Sequence, residues 1–153
     1  MPGEVPAGDS GEWRASLAVS PTQRSLVHLR GLAGALVAIV ERWNPHARVT
    51  QDLFGFADLV AVIPGMPGTT YVQTTSGTNV AARLAKMRAE PVASRVRACL
   101  AAGNTVMVHG WRKAGARGKR KTWQLREVVV TPDELLNPSG AAARPTAAPR
   151  GRG

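Results

Sequence analysis

The sequence has 153 residues and a formal net charge of +10, enough chain for one domain with a modest core and not for two. No apolar run approaches the ~18 residues of a membrane span, and no basic stretch followed by an apolar core marks a secretory leader. The single cysteine, Cys99, excludes an internal disulfide and points to a reducing cytoplasm.

Residues 1–20 and 137–153 are dominated by Pro, Gly, Ala and Ser. Such segments bury too little surface to offset the entropy of ordering, so flexible tails are expected around a foldable domain over 21–136. Leu26, Leu29, Leu36, Val40 and Trp43 recur at helical spacing, which predicts one amphipathic helix over 22–43. Ser20 or Thr22 would cap it, Pro21 suits its first turn, and Asn44-Pro45 would stop it. Three strands are expected next, over 48–53, 58–63 and 71–75. The second, DLVAVI, is a continuous apolar run of the kind covered on both faces. Pro64, Gly65, Pro67 and Gly68 supply turn chemistry between the second and third. Helical spacing returns over 78–89 (Val80, Leu84, Met87) and over 91–102 (Val92, Val96, Cys99, Leu100), with Gly103 as a C-terminal cap. Two strands, over 105–111 and 122–130, close the order. Helix, three strands, helix pair and two strands describe an α/β domain around a single mixed sheet.

The charge is clustered. Between Trp111 and Trp123 lie Arg112, Lys113, Arg117, Lys119, Arg120 and Lys121 without one acid, and Gly115 and Gly118 loosen the segment. A basic hairpin tip of this kind can follow a phosphate backbone. The plainer readings are a solvated loop that keeps an edge hairpin soluble, and GC-rich coding bias for Arg. His28, His46 and His109 are scattered, with no zinc-ligand spacing, and no phosphate-binding loop, dinucleotide fingerprint or serine-nucleophile elbow is present.

Asp58 stands at the mouth of a buried strand, where a lone carboxylate costs desolvation unless something pairs with it. An Arg or backbone N–H is the common partner; a divalent cation is the sharper one, because Mg²⁺ sites use one or two carboxylates plus waters and phosphate oxygens. DLVAV from Asp58 and VQTT at 72–75 resemble the two halves of the metal-binding motif of the PD-(D/E)XK superfamily of restriction-endonuclease-like nucleases, which includes the Holliday-junction resolvases. That motif puts an Asp at the start of the second strand, then an acid, a spacer and a lysine on the third. The resemblance spans roughly residues 25–112 and rests on short motifs. It implies a restriction-endonuclease-like core and a Mg²⁺-dependent DNA endonuclease, with Mn²⁺ as a substitute ion. Such an enzyme would act on duplex or branched DNA, and homodimers are common among resolvase-like members.

Carried over residue by residue, the resemblance makes Asp58 and Gln73 metal ligands and catalytic residues, with Gln73 where the acid would be. Thr75 stands where the lysine would be. Some members carry that lysine on the following helix, where Asn79, Arg83 and Lys86 share one face, so Lys86 or Arg83 would take the role. Glu41 or Asp52 would supply the missing negative charge, Glu41 from near the end of the first helix. The rival reading is a non-catalytic nucleic-acid-binding protein on the same fold, in which Gln73 and Thr75 record a decayed metal site.

Overall fold

The computed structural model describes residues 19–136; all but Val19 and Ser20 of the two expected tails lie outside the described residues. Helix α1 spans Pro21–Arg30, and Ser20 caps it by accepting a hydrogen bond from the Gln23 N–H at 3.2 Å. Gly31 ends it, its N–H turned back to the carbonyls of Val27 and His28.

Here the structure departs from the expected helix over 22–43. Beyond Gly31 the chain turns through Gly34, at φ 75°, into strand β1, Leu36–Ile39. Two glycines weaken the helix, and the β-branched Val37, Ile39 and Val40 favour the strand. Leu36 and Trp43, expected on the helix's apolar stripe, are 70% and 63% exposed.

Strands β2 (Arg42–Asn44) and β3 (Val49–Gln51) form a separate two-stranded hairpin. Its turn is built on Asn44, whose side-chain oxygen accepts from the N–H groups of His46 and Ala47. The strand expected over 48–53 therefore exists in shortened form, outside the main sheet. That sheet takes β1, β4 (Leu59–Val62), β5 (Thr70–Ser76), β6 (Thr105–Ala114) and β7 (Thr122–Val129) in the order β1-β4-β5-β6-β7. All its pairs are antiparallel except β5–β6, which are parallel. The crossover between those two carries a 3₁₀ turn at Gly77–Asn79 and the helices α2 (Val80–Met87) and α3 (Val92–Ala101). A short α4, Pro132–Leu136, follows β7. The domain is thus α/β around one mixed sheet. No helix among the described residues is long and apolar enough to cross a membrane.

Alternate residues of β6 belong to two cores, so the helices cover opposite faces. Leu26 and Leu29 of α1 pack on Leu59, Ala61, Val72 and Met107. Val80, Met87, Val92, Val96 and Cys99 of the crossover pack on Phe56, Val106, Val108 and Val128. Cys99 is a free, buried thiol, as expected of a small core residue. Gly110 of β6 faces Val80 so closely that any side chain there would collide with it, which lets α2 start tight against the sheet. The β4 strand is buried on only one face, contrary to expectation: Leu59 and Ala61 are buried but Val62 is 50% exposed. The main contacts of α2 and α3 are with β5 and β6, so one face of the β1–β4 flank stays open.

Candidate active site

Three carboxylates reach one point because three chain segments meet beside the start of β4. The antiparallel β1–β4 register ends at Ile39 opposite Leu59. One step further, the N–H groups of Val40 and Glu41 both donate to the Asp58 carbonyl, at 2.9 and 3.3 Å. Glu41 is thus held beside Asp58 by sheet pairing, in the link between β1 and β2 and not at a helix end as the sequence suggested. In the hairpin Arg42 pairs with Gln51, which sets Glu41 across from Asp52. The chain then folds back through Phe54 and Gly55, both at positive φ, to reach Asp58. Carboxylate oxygens of Glu41, Asp52 and Asp58 all lie within 4.8 Å of one another.

Asp58 is 5% exposed. Its Oδ2 accepts from the Thr74 N–H at 2.7 Å and from the Thr74 hydroxyl at 3.1 Å; the Gln73 amide nitrogen is 3.5 Å away, at the limit of a useful bond. The Thr74 hydroxyl is in turn 2.8 Å from that of Thr22 on α1. Burial pushes the Asp58 carboxyl up to about 7 against the opposing pull of the Thr74 N–H, with a shared bond to Asp52 and the charges of Asp52 and Glu41 adding to the rise. Lys86 Nζ lies 3.9 Å from Asp52, the one ion pair to the cluster among the described residues. The Gln73 amide oxygen is buried, on a side chain 1% exposed, and has no hydrogen-bond partner.

These groups line a cleft of about 550 Å³ at the C-terminal end of β5. Every residue singled out from the motif lies on it: Asp58, Gln73, Glu41, Asp52, Arg83 and Lys86, with Asn79 beside them. None of the basic residues between Trp111 and Trp123 lines the cleft. The basic segment is shorter as a loop than its sequence suggested, because Arg112 and Lys113 belong to β6, paired with Gln124 and Trp123. Arg117, Lys119, Arg120 and Lys121 are exposed on the connection between β6 and β7.

Sequence reasoning missed Thr22 and Thr74, which clamp Asp58, and a second buried cluster on the same helix. His109, fully buried, lies 3.0 Å from the Ser25 hydroxyl through Nδ1 and 3.0 Å from Glu127 through Nε2. Trp111 Nε1–H donates to the same hydroxyl at 2.9 Å. The order Ser, His, Glu has the look of a nucleophile relay, but Ser25 is on the buried face of α1 at 0% exposure and no substrate atom can reach it. Only the Thr-rich run at 74–75 could have drawn attention to the clamp; Ser25 and His109 are 84 positions apart and give no local signal.

The chain matches no protein-family model, no curated protein and no solved structure.

The donor set of the cleft is all oxygen: three carboxylates and one buried amide carbonyl with nothing to accept from. Hard divalent ions such as Mg²⁺ and Mn²⁺ take such sets, whereas zinc sites draw on His and Cys. The residues present fit such an ion, and ion binding would offset the cost of burying the Asp58 carboxylate together with the repulsion among the three acids.

Proposed function

We propose that this cleft binds Mg²⁺ and hydrolyses phosphodiester bonds in DNA. The observation that carries the reading is the convergence of Asp58, Asp52, Glu41 and the orphaned Gln73 oxygen beside Lys86 in one open cleft. The sheet order, with a leading helix, antiparallel strands and a parallel strand reached through a helical crossover, supports it.

Asp58, Asp52 and Glu41 hold the ion, and Gln73 contributes a neutral fourth oxygen. An ion held there would supply Lewis acidity toward an attacking water and toward the charge of the scissile phosphate. Thr74 and Thr22 fix the Asp58 carboxylate so that it need not reorganise during reaction. Lys86 supplies, from α2, the positive charge that Thr75 cannot. Arg83, one turn earlier on the same face, is placed to pair with a second phosphate oxygen.

The test is a panel of linear, branched and single-stranded DNA incubated with Mg²⁺ or Mn²⁺, with Asp58→Asn run alongside. Cleavage is expected with either ion, to stop on chelation, and to fall at least ~10³-fold in the variant. Salt-sensitive DNA binding that ignores chelator, without cleavage of any substrate, would replace this reading with that of a non-catalytic binder. Full cleavage by Asp58→Asn would remove the site from this cleft.

A further inference from the structure

β5 ends at Ser76, opposite Trp111, but β6 runs on to Ala114 and β7 begins at Thr122. The far part of this hairpin is therefore an arm that rises past the sheet beside the cleft. Its basic residues divide between two faces. Lys113 and Trp123 lie on the α1 side, where the Arg24 guanidinium covers the Trp123 ring at 3.7 Å. Arg112 and Arg126 lie on the opposite side, the face of Gly110 and α2.

On that second face a cavity of about 380 Å³ is lined by Gly77, Arg112, Gln124, Leu125 and Arg126. Ser76 lines the acidic cleft and Gly77 lines this cavity. Ser76 and Gly77 are adjacent in the chain, so the two cavities share a wall one peptide unit thick along the backbone.

Register places the two guanidiniums as diagonal neighbours: Arg112 is opposite Gln124, and Arg126 opposite Gly110. Neither makes a hydrogen bond or ion pair among the described residues. The acid next in sequence, Glu127, points to the other face and is bound to His109. Two like charges on one face without an acid repel, and an anion between them would reverse that. The stem of Arg112 is also held: a Cβ on Gly77 would lie 3.1 Å from the Arg112 Cβ and 3.5 Å from its Cγ and Cδ, so the glycine lets the backbone press against it. A side chain held in place loses less entropy on binding.

We propose that Arg112 and Arg126, with the Gln124 amide, form a subsite that grips one backbone phosphate of the nucleic acid flanking the linkage in the acidic cleft. The subsite rests on the nuclease reading for the identity of that linkage. It differs from general attraction by the loop-tip residues in binding one phosphate with two arginines.

The experiment measures DNA affinity against salt concentration with Ca²⁺ in place of Mg²⁺, for the full chain, Arg112→Ala, Arg126→Ala and the double variant. Both side chains are exposed, so the fold should tolerate their loss. Each single variant is expected to flatten the slope of log affinity against log salt by about 0.9, the value of one duplex phosphate contact. The double variant should flatten it by about 0.9 in all, no more than either single variant, because the two share one phosphate. Neutralising the DNA linkages one at a time as methylphosphonates should find one flanking linkage that matters to the full chain and not to the double variant. Unchanged slopes, or losses that add to twice the single value, would overturn the shared subsite. Cleavage need not occur for this reading: absent cleavage with the slope change intact defeats the nuclease proposal alone, and intact cleavage with unchanged slopes defeats the subsite alone.

Discussion

Two buried polar clusters touch helix α1, and they are built on opposite terms. Around Ser25 each partner is supplied. Glu127, which can only accept when ionised, accepts a hydrogen bond from the Nε2–H of His109, leaving Nδ1 to accept from the Ser25 hydroxyl. Trp111 donates to the free lone pair of that hydroxyl. The Glu127 carboxyl is accordingly held below its ordinary range, chiefly by its bond to His109. Around Asp58, two further carboxylates crowd the buried one, an amide oxygen goes unpaired, and Lys86 reaches only Asp52, at 3.9 Å. A satisfied network ties α1 to β6 and β7; an unsatisfied one of like charge is what the proposed ion would complete. The same helix joins them, since Ser25 belongs to the first and Thr22 reaches the second through Thr74.

Removing the titratable group should therefore move stability in opposite directions at the two clusters. His109→Ala leaves a cavity and strips partners from Ser25 and Glu127, and is expected to destabilise the fold by about 4 kcal/mol in urea unfolding. A loss under about 1 kcal/mol would mean that the network does not hold α1. Asp58→Asn should act with the other sign.

The Asp58 carboxyl titrates near 3.8 when unperturbed and at about 7 in the fold. Between those values the folded chain keeps a proton that the unfolded chain releases, so the stability contributed by this group falls as pH rises from about 4 to about 7 and is level above. Asn removes that slope. Metal-free Asp58→Asn is expected to be more stable than the original chain by about 2–3 kcal/mol at pH 8 and nearly equal to it at pH 4. Thermal unfolding across that range in the presence of chelator reads the difference directly. A variant less stable at pH 8 would show that Asp58 is a satisfied structural carboxylate after all.

Much of the site was legible because its members sit on short, strongly marked segments. DLVAV and YVQTT read as strands from composition alone, and Arg83 and Lys86 share a helix face by spacing. The error at 31–43 came from weighing apolar period over Gly31 and Gly34, and it misplaced Glu41 although the residue itself was singled out. Glu41 and Asp52 meet Asp58 through strand register and a hairpin folded beside it, which no local pattern encodes. The clamp by Thr74 and the Ser25–His109 network join residues 52 and 84 positions apart, so only the folded chain brings them together. Arg126 was passed over because it lies outside the basic run; its pairing with Gly110 sets it near Arg112.

The most direct measurement is calorimetric titration of Mn²⁺ into the metal-free chain at pH 7, in two buffers of different ionisation heat. One saturable site is expected, with proton release because burial pushes the Asp58 carboxyl up to about 7, and both signals should vanish in Asp58→Asn. No saturable binding, or equal binding in Asp58→Asn, would contradict the account.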